Sequence, residues 1–187
     1  LAFGFAGNVS YGGRFTGQNA TVVNYGVRAS AGARNASSKY AVYASATIEP
    51  NSYAGWFHGD VHVTGTFTNP SDKKLKEEVK QLESASLILN KLNPKTYNFT
   101  KEALKKMNLP VEKQYGLIAQ ELEEVLPELV KEVLHPAQYD DKGKKISDEV
   151  KFKAISYTPL ISILIQGHKE QQQVIEEMNT INNDLKK

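Results

Sequence analysis

Four tyrosines, Tyr11, Tyr25, Tyr40 and Tyr53, follow one another at intervals of 14, 15 and 13 residues, and each opens a similar pentad: YGGRF, YGVRA, YAVYA and YAGWF. Turns rich in Gly, Asn and Ser separate them. Aromatic and β-branched runs between such turns are expected as strands of about five residues. A repeat of this length is one hairpin or one coil of a solenoid. Gly and Ala at so many strand positions leave little side-chain volume for a core. A single chain of this kind cannot bury enough surface alone and needs partner chains. An intertwined homotrimeric stalk of β-prism or β-helix type would supply them.

The repeats stop where the composition changes. Residues 1–70 hold 10 of the 13 Gly and 11 of the 17 aromatics but only six charges: Arg14, Arg28, Arg34, Lys39, Glu49 and Asp60. Residues 71–187 carry 19 Lys against 19 acids. A break this sharp marks a domain boundary, and the turn-like Thr68-Asn69-Pro70 sits on it. The net charge of +2 excludes an electrostatic nucleic-acid binder, which needs a concentrated surplus of Lys and Arg. With no Cys there is no disulfide framework, thiolate cage or Cys nucleophile. The apolar run from Leu160 to Ile165 is far too short for a membrane span. The chain starts at Leu1 rather than Met, as expected of a fragment or processed product.

The second part is expected to be mixed, making the whole an α+β protein. SDKKLKEEVKQLESASLILNKL, from Ser71 to Leu92, has a broken apolar face in Leu75, Val79, Leu82, Leu89 and Leu92, and is expected as a helix capped by Ser71 or Asp72. Asn93-Pro94 stops it. Lys95 to Thr100 and Gln114 to Ala119 are expected strands, and Gln120 to Leu126 a short helix ending before Pro127. Leu129 to Leu134 and Glu149 to Ile155 flank the turn-rich YDDKGKK as a hairpin with a long polar loop. The domains are therefore 1–70, the stalk; 71–157, the mixed core; and 158–187, a long helix. In that helix Ile161, Leu164, His168, Gln171, Ile175, Met178, Asn182 and Leu185 form a heptad stripe, which predicts a trimeric coiled coil. Polar residues in the seam fix register and oligomer number. The alternative is one amphipathic helix packed on its own domain.

In order along the chain stand SDKKLKEEV, KLNPKTYNF, YGLIAQELEEVLPELV and YTPLISILIQGHKEQQQVIEEM. This succession resembles the C-terminal intramolecular chaperone of phage endosialidases and other tail spikes, the peptidase S74 family, from Ser71 to the end. YGLIAQELEEVLPELV is the most specific piece. The resemblance implies a chaperone that trimerises, folds its own upstream β-fibre and then cuts itself off with a Ser-Lys dyad. The family motif SDxRxK falls on Ser71, Asp72 and Lys76, with Lys74 where the family commonly has Arg. Ser71 and Lys76 are thus the implied catalytic pair, Asp72 and Lys74 supporting residues, and Pro70-Ser71 the bond cut. It also implies a phage tail fibre or a prophage-encoded bacterial surface protein. The alternative is a non-cleaving trimerisation stalk.

The dyad has physical requirements. A Ser hydroxyl is a weak nucleophile, and a Lys with a normal pKa of about 10.4 cannot take its proton at neutral pH. Lys76 must be desolvated, and burial beside Leu75 and Val79 at a subunit interface would do it only after assembly. A spacing of five is poor on one helix face. Ser71 must therefore lie at or before the helix cap with Lys76 reaching back, and N–H groups of the first turn are candidates for an oxyanion hole. On its own residues alone, Ser71 before a Lys/Glu-rich stretch reads as an ordinary cap.

Other candidates are weaker. His58, Asp60 and His62 alternate on an expected strand and could face one metal or a threefold axis, but alternation with Phe57, Val61 and Val63 is what any half-buried strand shows. His168 is expected in the trimer seam. Trp56, Phe57 and the repeated Tyr residues are candidates for a cell-surface glycan platform, though aromatics at a fixed repeat position usually form the repeat's own core. No metal and no cofactor is expected, and no phosphate loop, glycosidase carboxylate pair or zinc-protease motif is present.

Overall fold

The computed structural model describes residues 27–32, 38, 40–49, 52–140 and 144–186. The chain divides into two units, residues 1–55 and 56–187. In the first, the repeat opened by Tyr11 lies outside the described residues, and of the one opened by Tyr25 only the part from Val27 on is described, with no strand. Those opened by Tyr40 and Tyr53 are described and form no strand. Tyr40 and Tyr43 stand edge-on there, with centroids 6.1 Å apart. Tyr43 and Ile48 are exposed. Among the described residues these small-residue runs have no sheet to lie on, and the expected strands do not form there.

The second unit contains, in order, α1 (Ala85–Leu89), β1 (Lys95–Tyr97), α2 (Lys101–Lys106), β2 (Gln114–Gly116), α3 (Ala119–Glu123), β3 (Val130–His135), β4 (Gln138–Tyr139), β5 (Lys145–Ser147), β6 (Val150–Ile155) and α4 (Leu160–Asp184). This is the expected mixture of helix and small sheets closed by one long helix. β3 and β6 pair antiparallel from Val130↔Ile155 to His135↔Val150, and β4–β5 extends the hairpin inward. β1 and β2 pair antiparallel as a second ribbon, which joins two strands the sequence presents separately.

The long helix expected over 71–92 does not form. Only a 3₁₀ turn, Lys73–Leu75, and the five-residue α1 are helical. Between them Glu78 and Ser84 take positive φ values of 50° and 57°. Lys73, Lys74 and Lys76 would crowd positive charge at the helix N-terminus, where the macrodipole disfavours it. Leu75 and Val79 are exposed, so no packed face offsets helix nucleation.

The core is small. Ala85 of α1, Leu122 of α3, Leu126, Leu129, and Leu160 and Ile163 of α4 form one buried cluster. Three of these six come from ELEEVLPEL, whose Leu122, Leu126 and Leu129 point inward at spacings of four and three. Gly167 lets α4 close on α1, because a Cβ there would lie 2.4 Å from Leu89 Cδ1. Gly116 plays the same part in β2: a Cβ would stand 2.6 Å from Tyr157 Oη, which accepts the Leu117 N–H at 3.0 Å. No described helix is long and apolar enough to cross a membrane.

Candidate functional site

Ser71 follows Pro70 outside any helix or strand and precedes Asp72, the cap of the 3₁₀ turn. Asp72 Oδ1 accepts the Lys74 N–H at 3.0 Å, and the Asp72 and Lys73 carbonyls accept the Leu75 and Lys76 N–H groups at 3.0 and 3.1 Å. The turn ends at Lys76, whose backbone is extended. This geometry brings the long Lys76 side chain back across the turn, and its Nζ donates to Ser71 Oγ at 2.8 Å. On an α-helix, residues five apart face different sides; one tight turn followed by extended chain removes that obstacle. As an ammonium Lys76 donates, and on losing its proton the same pair would reverse, with Oγ–H donating to nitrogen.

The supporting residues occupy the same turn. Lys74 Nζ lies 3.3 Å from Asp72 Oδ2, so the basic side chain at the family's Arg position is held by the cap carboxylate. The turn's N–H groups are largely engaged: those of Lys74, Leu75 and Lys76 all have acceptors within the turn. The expected oxyanion donors are therefore reduced to the Lys73 N–H. Ser71, Lys76, Leu75 and Val79 are all exposed in the single chain, so the dry surroundings expected for Lys76 are not built within one subunit.

The other expected sites part company. His58, Asp60 and His62 are not on a strand, and among the described residues no three His, Asp or Glu side chains gather as a metal site. His58 instead accepts the Asn108 N–H on Nε2 at 2.6 Å. Trp56 packs edge-on against His135, and Phe57 is exposed. His168 is exposed on α4. The stripe residues Ile161, Leu164, Ile175, Met178 and Leu185 are exposed as well, at 52–79%. The face of α4 that packs on the core uses Leu160, Ile163 and Gly167, and none of these is a stripe position.

Two groups escaped the sequence reading. Glu170 of α4 accepts from Ala85 N–H, Ser86 N–H, Ser86 Oγ and Gln166 Nε2 at 2.6–3.2 Å. The hydrogen bonds from Ser86, led by its hydroxyl, lower its pKa from 4.5 to about 2. His135, at the end of β3, is buried, and among the described residues its Nε2 has no partner. Neither has a local signal, since both acquire their roles from residues distant in sequence.

Residues 71–131 match the family described as chaperone of endosialidase. The match begins at Ser71 itself and supports a C-terminal chaperone domain in this chain. Myelin regulatory factor homolog 1 of Caenorhabditis elegans is 38% identical over 79 residues, covering 40% of this chain and 8% of that protein. An uncharacterized protein of Dictyostelium discoideum is 37% identical over 67 residues, 35% of this chain and 6% of its own length. The chain therefore spans under a tenth of each of these relatives. A solved structure described as a novel intramolecular chaperone aligns with a TM-score of 0.38 and 17% identity, over 55% of this chain and 98% of its own.

Proposed function

We propose that residues 71–187 form a trimerising intramolecular chaperone that folds the β-rich segment of residues 1–70 and then releases itself by cutting the Pro70–Ser71 bond. The observation that carries this reading is the 2.8 Å contact between Lys76 Nζ and Ser71 Oγ, on the turn where the family match begins. On this reading the domain boundaries lie at 70 and 157, and the chain belongs to a phage tail fibre or a prophage-encoded surface protein that can meet cell-surface glycans.

The chemistry balances with water as the one co-reactant. Neutral Lys76 takes the Ser71 Oγ proton while Oγ attacks the Pro70 carbonyl carbon. The tetrahedral centre collapses as its C–N bond breaks and the proton passes to the Ser71 nitrogen, leaving Pro70 esterified to Ser71 Oγ. Water, deprotonated by Lys76, hydrolyses the ester. The products are a C-terminal Pro70 carboxylate and a free Ser71 amine.

Assembly supplies what one chain lacks. The exposed stripe of α4 is suited to a three-stranded seam, and Leu75 and Val79 beside Lys76 are suited to an interface that excludes water. Desolvation disfavours the ammonium and makes Lys76 a base. Cutting is then coupled to completed assembly.

The test compares wild type with Ser71→Ala and Lys76→Ala by denaturing gel and light scattering. Both variants should remain intact while keeping the trimer mass. An intact wild-type trimer would favour the non-cleaving stalk, and a wild-type monomer would contradict both readings.

A further inference from the structure

Trp56, His58 and Gly59 lie upstream of Ser71 and outside the family match, yet the C-terminal unit begins at Trp56. Asn108, just beyond α2, donates its N–H to His58 Nε2 at 2.6 Å and its Nδ2 to the His58 carbonyl at 3.4 Å. The rings of His58 and Trp56 both stand edge-on to His135, with centroids 5.5 and 5.4 Å away. His135 is 5% exposed. Its Nδ1 faces the Pro136 carbonyl at 3.0 Å, which in the neutral ring makes Nδ1 the protonated nitrogen, and among the described residues the buried Nε2 has no partner. Gly59 completes the contact. Its φ of +141° suits glycine, and a Cβ there would come within 3.1 Å of Asn108 Nδ2.

We infer that Asn108 and His135 form a clasp for the fibre-side tail Trp56–Gly59, so that release of the chaperone after the Pro70–Ser71 cut waits until this clasp opens. What the clasp retains rests on the cleavage reading; the contact itself exists in the uncut chain. Its occupant is this chain's own segment: an indole against a buried imidazole, a histidine acceptor on a backbone donor, and a glycine that allows close approach.

The clasp requires neutral His58, because an imidazolium has no lone pair on Nε2 for the Asn108 N–H. His135 faces the same ring, so protonating both would set two cations edge to edge. On α2, Glu102 and Lys106 pair with each other at 2.9 Å, and Asp148 also acts on Lys106. Asp60 and His62 lie on the tail itself. Among the described residues neither His58 nor His135 has a carboxylate partner.

The experiment uses the full chain carrying Ser71→Ala, so that it stays uncut, and follows hydrogen exchange of the Asn108 amide at pH 8. Protection of about tenfold, the scale of one net hydrogen bond, is expected. His58→Ala should abolish it. His58→Gln, which keeps a side-chain acceptor, should retain it. An unprotected Asn108 amide at pH 8, or protection unchanged in His58→Ala, overturns the clasp. In the cleaving chain, size-exclusion chromatography should show the 1–70 and 71–187 products together at pH 8 and separated in His58→Ala. Equal retention in that variant overturns the retention role. A wild-type chain that is never cut counts against cleavage alone, since the exchange measurement still decides the clasp.

Discussion

Glu170 and Ser86 join α4 to α1: the carboxylate accepts the Ser86 N–H at 2.8 Å and its hydroxyl at 2.6 Å. A five-residue helix cannot hold itself together in water. Ser84, left-handed at the cap position, gives α1 no side-chain cap, so the cap comes from another helix. The negative charge also faces the positive end of the α1 dipole.

The Glu170 pKa, lowered to about 2 from 4.5, fixes the sign of a pH effect. The group contributes stability above its unfolded value, and that contribution is lost as pH falls from about 4.5 through about 2. Thermal unfolding followed by calorimetry should show Tm falling over this range. Glu170→Gln should lower Tm at pH 7 and flatten the fall. A variant with the wild-type acid dependence would show that Glu170 does not pin α1.

At Gly167 the packing leaves no room for a methyl group. Gly167→Ala would set Cβ 2.4 Å from Leu89 Cδ1 and push α1 and α4 apart. We expect a loss of about 1–3 kcal/mol, read by urea unfolding. Leu122→Ala, in a side chain 1% exposed, should cost about 2–5 kcal/mol.

The α4 stripe predicts a separable effect on assembly. Residues 171–186 are exposed throughout. Ile175→Asp with Met178→Asp should therefore reduce the light-scattering mass from three chains to one while leaving the far-UV circular dichroism of the mixed core close to wild type. An unchanged trimer mass would remove the stripe from the assembly account.

The legible parts of the fold were those whose signals are local. The hairpin of β3 and β6 follows from alternating residues around a polar turn, α3 from ELEEVL before Pro127, and α4 from its unbroken period. The approach of Lys76 to Ser71 followed from a constraint, since a spacing of five demands that Ser71 precede the turn. The stretch 71–92 misled because its leucines suit a helix while its lysines sit at the wrong end of the dipole. α2 was missed, although Thr100 accepting from the Ala103 N–H at 3.2 Å and the Glu102–Lys106 pair are both readable signals. Glu170, His135 and the tight fits at Gly116 and Gly167 depend on contacts between distant segments, which spacing along one chain does not encode.

The central claim is that Ser71 and Lys76 cut the chain at Pro70–Ser71 once it has assembled. Intact-mass spectrometry of wild-type protein, sampled over days at pH 8 at concentrations spanning the trimer–monomer transition, tests it directly. The account predicts two products, one ending at Pro70 and one beginning at Ser71. They should appear only where the trimer forms and be absent in Lys76→Ala. Products beginning at any other residue, cutting that persists in Lys76→Ala, or a fully assembled trimer that stays at the uncut mass would contradict it.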